Sequence, residues 1–503
     1  MSVERAARRR ADDLIAWLRE YAETRIDVGL MDERRCLSPH VVLDFAAKGM
    51  FGLLVPERLG GAPLPLREAF RVVEQLAAID LTLGSFYGVD VALGIRPIVE
   101  HGTAVAQRRF VPALAEGRML GGLALTEPGA GSNPSALASR AERGADGRLR
   151  LFGHKRWIGN AAWSGVLNVF VRETDGDVSQ ISGFCVPADA PGLVQGPEHP
   201  TLGMRAMVQN EVLLEGVEVD ESLRLRGGTE ALVDTLNFGR LGIAVLGLGT
   251  MQRCGQLLFR YASRRSIATG RLLEHPIARR CLAFVAAAVC LVRDAVDRLA
   301  GSLERHQPLD EAEYVSIKIA GPELTFAVVD QVLQLLGGRG YDEPNEVARR
   351  FRDARLLRIF EGPTEALQSH LGMRAMVDRS LARLFDDEVR RVELEELRDA
   401  ARDATRDRRV PAAERRSYAQ ALAIELGDWV AFALLEQSCG DPAGRALAAE
   451  RRDSARRRFE GVTRRLPAAE PAALATRWAA RIGDVELRTA SERRQLDALL
   501  RRA

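Results

Sequence analysis

Residues Val332 to Gln368 read VLQLLGGRGYDEPNEVARRFRDARLLRIFEGPTEALQ, and the rest of the chain is organised around them. An apolar helical segment runs out at Gly337, Gly338 and Gly340, and a charged helical segment follows. The apolar residues Leu356, Leu357, Ile359 and Phe360 then lead into one carboxylate, Glu361, at a Gly-Pro turn. A carboxylate set among large apolar groups loses hydration, which raises its pKa and makes it a better proton acceptor near neutral pH. A plainer reading fits the same letters. Gly362-Pro363 resembles a helix start with Pro at the first helical position and Glu365 in the first turn, so Glu361 also reads as a residue beside a cap. The glycines are either a helix stop or a loop whose bare N–H groups approach a phosphate.

The chain has 503 residues, room for three or four domains at ~100 to 200 residues each. Its 71 basic and 69 acidic residues leave a net charge of +2, so nothing global points to nucleic acid or an anionic membrane. Lysine occurs only at 48, 155 and 318, which reads as the signature of a GC-rich genome. Six cysteines (36, 185, 254, 281, 290, 439) lack metal-type spacing and predict neither disulfides nor a metal site. The Arg-rich start is interrupted by acids and has no apolar segment after it, so it reads as a first helix and the protein as cytoplasmic. The run Cys281 to Val292 falls short of the ~20 residues of a membrane helix and predicts a buried helix, with no transmembrane segment.

Outward from the opening stretch, three- and four-residue spacing (Leu14, Ile15, Leu18, Tyr21) predicts helices up to residue 120, one of them starting at Ser38-Pro39. From Gly121 the period changes to two. Leu167 to Val171, Ile181 to Val186 and Val212 to Val219 predict strands, with hairpin turns at Asp146-Gly147 and Asp175-Gly176. Helices resume near Glu230. His101, before Gly-Thr, reads as a helix-end residue and not a ligand. Residues 379 to 503 keep helical spacing, and the apolar set Ile424, Leu426, Trp429, Val430, Ala433 and Leu434 predicts packed helices. Locally, ALTEPGAGSN (124 to 133) is a Pro-Gly loop, and KRWIGNA (155 to 161) is a strand with Trp157 in a core.

Taken together, these stretches resemble a known family. The order Q-x-x-G-G-x-G-Y from Gln334, then Arg349, Arg352-Asp353-Ala354 and I-F-E-G, is similar to the C-terminal signature of the flavin-dependent acyl-CoA dehydrogenases. The 124 to 133 and 155 to 161 stretches resemble the two loops that contact the flavin in that family, and 52 to 61 and 101 to 117 resemble its N-terminal helical domain. The resemblance covers roughly residues 10 to 377. It implies a mostly α, α+β fold: an N-terminal helical domain (1 to 120), a middle β-barrel domain (121 to 229) and a C-terminal four-helix bundle (230 to 378), followed here by an extra helical extension (379 to 503).

The same resemblance implies FAD, with Glu361 as the base that removes the α-proton of an acyl thioester while hydride passes to flavin N5. Carried over residue by residue, the cofactor meets Leu125, Thr126, Gly131, Ser132, Trp157, Ile158, Gly159 and Thr364, with Arg265, Gln334, Gly337 and Gly338 reaching the FAD of a neighbouring subunit. Substrate meets Ser132, Asn237, Arg240 and Gly362. The chain departs from the family pattern in several places: Pro344, Pro363, Asn133, Asn237, and Ala268-Thr269 replace the usual residues, and Gly159 stands where a Thr hydroxyl reaches N5. Gly239 occupies the position of an alternative base and cannot serve. The implied partners are an acyl-CoA or acyl-carrier-protein thioester, a second copy in a homodimer with FAD at the interface, and electron-transfer flavoprotein or oxygen as electron acceptor, with no nucleic acid. An acyl-CoA oxidase, or a flavoprotein relative acting by binding, is the alternative expectation.

Overall fold

The N-terminal region of the computed structural model, which describes residues 3–175, 178–407, 414–464 and 471–483, is a set of seven helices. They are α1 (Val3–Thr24), α2 (Val28–Arg34), α3 (Pro39–Ala47), α4 (Leu66–Ile79), α5 (Leu81–Gly88), α6 (Arg96–His101) and α7 (Ala104–Ala115), with a π-helical turn at Val89–Ile95 between α5 and α6. Short polar side chains set several starts, because they satisfy N–H groups that the first turn leaves unpaired. Asp80 accepts from the Leu83 N–H at 3.0 Å and Thr103 from the Ala106 N–H at 3.1 Å. Pro39 is the first residue of α3, as its Ser-Pro pair predicts, although the Ser38 side chain makes no cap bond. His101 closes α6 and its Nε2 lies 2.8 Å from Asp234 Oδ2, so the helix-end reading gains an ion partner.

The middle region carries β1 (Gly121–Ala124), β2 (Arg140–Arg143), β3 (Leu149–Gly159), β4 (Val166–Asp175), β5 (Val178–Pro187), β6 (Leu193–Glu198), β7 (Gln209–Val219) and β8 (Arg224–Leu225). They form one sheet in the order β6-β7-β3-β2-β4-β5-β8, with β1 parallel to β4. One set of side chains from β3, β4, β5 and β7, including Leu151, Val169, Phe184 and Val212, shares its own apolar core. The sheet therefore wraps that core as the expected barrel would, with β6 and β8 as the ends of its hydrogen-bonded order. The β2–β3 hairpin turns at Gly147, whose φ of +78° suits glycine. Asp175 pairs with Val178 across the next hairpin, and its expected turn residue Gly176 lies outside the described residues.

Helices return as α8 (Thr229–Arg264), α9 (Pro276–Glu304), α10 (Glu311–Leu336), α11 (Gly338–Tyr341), α12 (Glu346–Leu357) and α13 (Thr364–Val377). The main core joins α4 and α5 to α8, α9 and α10, so the N-terminal and C-terminal helices face each other across the future site. The extension adds α14 (Glu388–Arg406), α15 (Arg415–Ser438), α16 (Pro442–Arg464) and α17 (Pro471–Ile482). Its core is continuous with α10 and α13: Trp429, Leu426 and Val430 pack with Val315, Ile319, Leu367 and Leu371. The contact between α13 and α15 is glycine-dependent. A Cβ on Gly372 would collide with the Ala423 carbonyl, and one on Gly427 with the Gln368 carbonyl. Gln368 also donates to Asp428 at 3.0 Å, and Asp428 accepts from Arg458 of α16 at 2.6 Å.

α8, α10 and α15 are long and apolar enough to cross a membrane by length and composition, which the shorter run at Cys281 to Val292 does not reveal. In this fold 78%, 56% and 72% of their apolar windows are buried inside the protein, so neighbouring helices supply the apolar surroundings.

Candidate active site

Beyond α12 the chain passes through Arg358, Ile359 and Phe360 and then reverses with φ of +55° at Glu361 and +98° at Gly362. Left-handed backbone is uncommon for a residue with a side chain and persists where the surroundings over-determine it. At 362 only glycine fits, since an added Cβ would also lie 2.9 Å from Leu367 Cδ2. Pro363 is not the first helical residue, as its sequence suggests, but the N-cap: its extended ψ of 145° leaves its carbonyl free to accept from the Leu367 N–H at 3.0 Å. α13 therefore begins at Thr364.

Reversal of the chain delivers Glu361 to the end of a pocket bounded by α4, α5, the π-helical turn and α8, with about 670 Å³ of atom-free space including its open mouth. Phe70, Val73, Leu93, Phe238 and Ile243 are among the side chains that line it. Asp90 anchors the π-helical wall by accepting from the Gly121 N–H at 2.6 Å. Glu361 is partly exposed as a residue, yet its Oε2 is sealed from solvent and has no hydrogen-bond partner. Burial pushes its pKa up to about 7, against the pull of Arg240 and Lys318. Gly239 faces it, and a Cβ there would lie 3.4 Å from the carboxylate Oε2, so the absent side chain leaves the carboxylate its room. Arg240 is buried beside it and donates to Asn237 Oδ1 at 2.8 Å and to Glu311 Oε1 at 3.3 Å.

The two loops read from sequence meet each other. The Arg156 N–H donates to the Thr126 carbonyl at 2.9 Å. Lys155 is buried and its Nζ donates to Glu127 Oε1 at 2.8 Å, the Leu125 carbonyl at 3.1 Å and the Phe170 carbonyl at 2.6 Å. Glu127 in turn accepts from the Ala138 and Ser139 N–H groups. That buried pair welds the loop to the sheet. Trp157 is not in a core: a β-bulge turns it out with φ of +57°, 44% exposed, with Arg156 over its ring at 4.5 Å. Gly131 and Ser132 are exposed, and an added Cβ on Gly131 would meet nothing within 4 Å. An open glycine-rich loop beside an exposed aromatic face fits a flat, phosphate-bearing cofactor such as FAD.

Other members of the expected set are placed differently. The Ile158 side chain is buried in the sheet core, so only its backbone is available to a cofactor. Thr364 is buried with its hydroxyl 3.5 Å from the Arg358 carbonyl, which ties it to the turn and away from an open cofactor surface. Arg265 lines a second, open hollow together with Arg260, Arg264 and Arg339, and Gln334, Gly337 and Gly338 are exposed around Leu336 at its wall. This hollow shares no lining residue with the Glu361 pocket. Arg349 and Asp353 serve the architecture: Arg349 bonds Asp80 at 3.2 Å, and Asp353 accepts from Thr82 and from the Met204 N–H, joining all three regions. Sequence reading missed Lys318, fully buried on α10, whose Nζ donates to the carbonyls of Leu357 at 2.8 Å and Gly362 at 3.2 Å. The available signal was its rarity in a lysine-poor chain.

Family models of the acyl-CoA dehydrogenase N-terminal, middle and C-terminal domains match residues 10–118, 122–217 and 226–376. The very long-chain specific acyl-CoA dehydrogenase, mitochondrial, of Bos taurus is 28% identical over 341 residues, 66% of this chain and 52% of that protein. The chain thus spans about half the length of that relative. The short-chain specific enzyme of Bos taurus is 32% identical over 322 residues, 63% of this chain and 77% of that protein. A solved acyl-CoA dehydrogenase from Bacillus anthracis, complexed with FAD, is 20% identical with a TM-score of 0.75 and covers 98% of this chain and 94% of that one, so it shares the fold with the extension included. With all three domain models matched in order over well more than half its length, the chain belongs to the acyl-CoA dehydrogenase family.

Proposed function

We propose that the protein is an FAD-dependent acyl-thioester dehydrogenase in which Glu361 removes the α-proton. The observation that carries this is the partnerless, buried Oε2 of Glu361 at the end of an apolar pocket. A base in such a place is poised near pH 7, and its free lone pairs await a substrate proton. When bound, FAD supplies the acceptor for the hydride that leaves the β-carbon. Thr126, Ser132 and the Trp157 face hold the cofactor side, and Glu361 holds the other side of the substrate. The pocket also defines the acyl group. Its two hydroxyls are already committed, Ser85 to the Leu81 carbonyl at 2.8 Å and Tyr87 to the Met50 carbonyl at 2.7 Å. With those hydroxyl protons committed to backbone carbonyls and the lining otherwise apolar apart from Glu361, the pocket suits an unsubstituted aliphatic chain. Anaerobic mixing of FAD-loaded protein with aliphatic and polar acyl-CoA and acyl-carrier-protein thioesters tests this. Flavin bleaching by aliphatic members supports it, and silence across the panel sinks it.

Oxygen as electron acceptor is a second reading, favoured by Gly159. An added Cβ there would make ordinary van der Waals contact with the Val89 side chain at 3.6 Å and with Met207 at 3.9 Å, so the position tolerates a side chain, and glycine leaves that small volume unfilled. If the space admits oxygen, wild-type protein releases hydrogen peroxide at each turnover and Gly159→Thr lowers the yield several-fold. Equal peroxide from both proteins removes the reading.

The assembly we infer is a homodimer with FAD at the interface, the arginine hollow facing the partner's cofactor. α15 covers the apolar faces of α10 and α13 that would otherwise be open to further association. Light scattering is expected to give a dimer for the full chain and larger species for a chain ending at Val377. A full-length tetramer would overturn the covering role.

A further inference from the structure

Of 71 basic residues only three are lysine, and two of these, Lys155 and Lys318, are completely buried. In a chain that uses arginine almost everywhere else, a buried lysine marks a place for a compact ammonium and not a planar guanidinium. Lys155 braces the cofactor loop. Lys318 holds the carbonyls of Leu357 and Gly362, one at the end of α12 and the other immediately after Glu361. Both bonds cross from α10 to the reversing turn. Other charges face this spot, and most are matched: Arg358 with Glu323 at 2.6 Å, Arg240 with Glu311 at 3.3 Å, and His370 with Glu311 at 3.4 Å. Lys318, by contrast, donates to two neutral carbonyls.

We propose that Lys318 is the positioning residue of Glu361: its ammonium clasps the turn on both sides of the base, fixes the left-handed backbone that aims the carboxylate into the pocket, and favours the ionised carboxylate through space. This rests on Glu361 being the base. Burial drives the two groups in opposite senses, Glu361 up to about 7 and Lys318 down to about 7, and each charge resists the loss of the other. Such coupling is reciprocal: removing either charge shifts the other group's titration, and the two shifts are equal in size.

The three lysines make the coupling directly readable. In FAD-loaded, full-length protein labelled with 13C-lysine, the side-chain spectrum holds three signals, and Lys318→Gln identifies one. That signal is expected to titrate well below the ordinary ~10.4 of lysine, and in Glu361→Gln its midpoint falls by about one further unit because the carboxylate no longer supports the ammonium. Conversely, Lys318→Gln moves the midpoint of the pH–bleaching profile up by about one unit, whereas loss of a merely structural brace lowers the plateau and leaves the midpoint in place. An unchanged Lys318 midpoint in Glu361→Gln overturns the coupling, and a wild-type bleaching midpoint in Lys318→Gln overturns it too. Should Lys318→Gln not retain FAD, the comparison of wild type with Glu361→Gln decides alone, the Lys48 and Lys155 signals being told by their loss in Lys48→Arg and Lys155→Arg, since burial lowers the Lys155 midpoint as well. Bleaching of Glu361→Gln at the wild-type rate removes the base and not the charge coupling, so the two failures are distinguishable.

Discussion

Glu361→Gln is expected to slow anaerobic flavin bleaching by ~10²- to 10⁴-fold, the usual worth of a general base, while making the protein more stable above pH 7. The second effect follows from the first group's environment. Folded Glu361 titrates at about 7, above the ~4.3 of an exposed glutamate, because burial disfavours its charge. Between those values the native state keeps a proton that the unfolded chain has released. Stability therefore falls as pH rises through that window, and the full deficit is present above pH 7. An amide carries no such deficit. The gain at pH 8 is of order 3–4 kcal/mol and vanishes near pH 4. Urea unfolding at the two pH values measures it. Equal stability of wild type and variant at pH 8 would mean that the carboxylate is not held against its preference, and the claim of a strained base would fall.

Gly427→Ala and Gly372→Ala are expected to be damaging small substitutions at the contact between α13 and the extension. In each case the new methyl group runs into a helix-backbone carbonyl, Gln368 or Ala423, which cannot swing aside as a side chain does. The helices must separate, at a cost of roughly 1–3 kcal/mol for each change. Because α13 starts two residues after Gly362, its displacement also loosens the turn that carries Glu361. A lower thermal midpoint, increased binding of an apolar-surface dye and slower bleaching should appear together. Either variant melting with the wild type would show that α13 and α15 do not approach this closely.

Much of the site was legible because its chemistry is local. The apolar approach to Glu361 and the Gly-Pro that follows it announced a buried carboxylate at a reversal, and period-two segments located the strands of the sheet. Trp157 was legible as important but not in its direction: its letters suit a core strand, and only the bulge between Lys155 and Ile158 turns the ring outward. Pro363 moved by one position because a cap is set by ψ, which residue identity does not dictate. Thr364 and Ile158 lie in the right motifs with inward side chains, a matter of tertiary packing. Lys318 was out of reach for a different reason: its partners are 39 and 44 positions away, and only the crossing of α10 over the turn unites them. Gly372 and Gly427 read as weak spots in helices until the second helix is in view.

Burial of Lys155 and Lys318 has a practical side. Of the three lysine amines, only that of Lys48 stands at an exposed position in the folded chain. Amine-directed acylation of the native protein is thereby confined, among side chains, to one address in the N-terminal helices. The two sealed amines mark different regions, the cofactor loop and the base turn. Each becomes modifiable when its own region opens, so the pattern of acylated lysines records which part of the molecule came apart first.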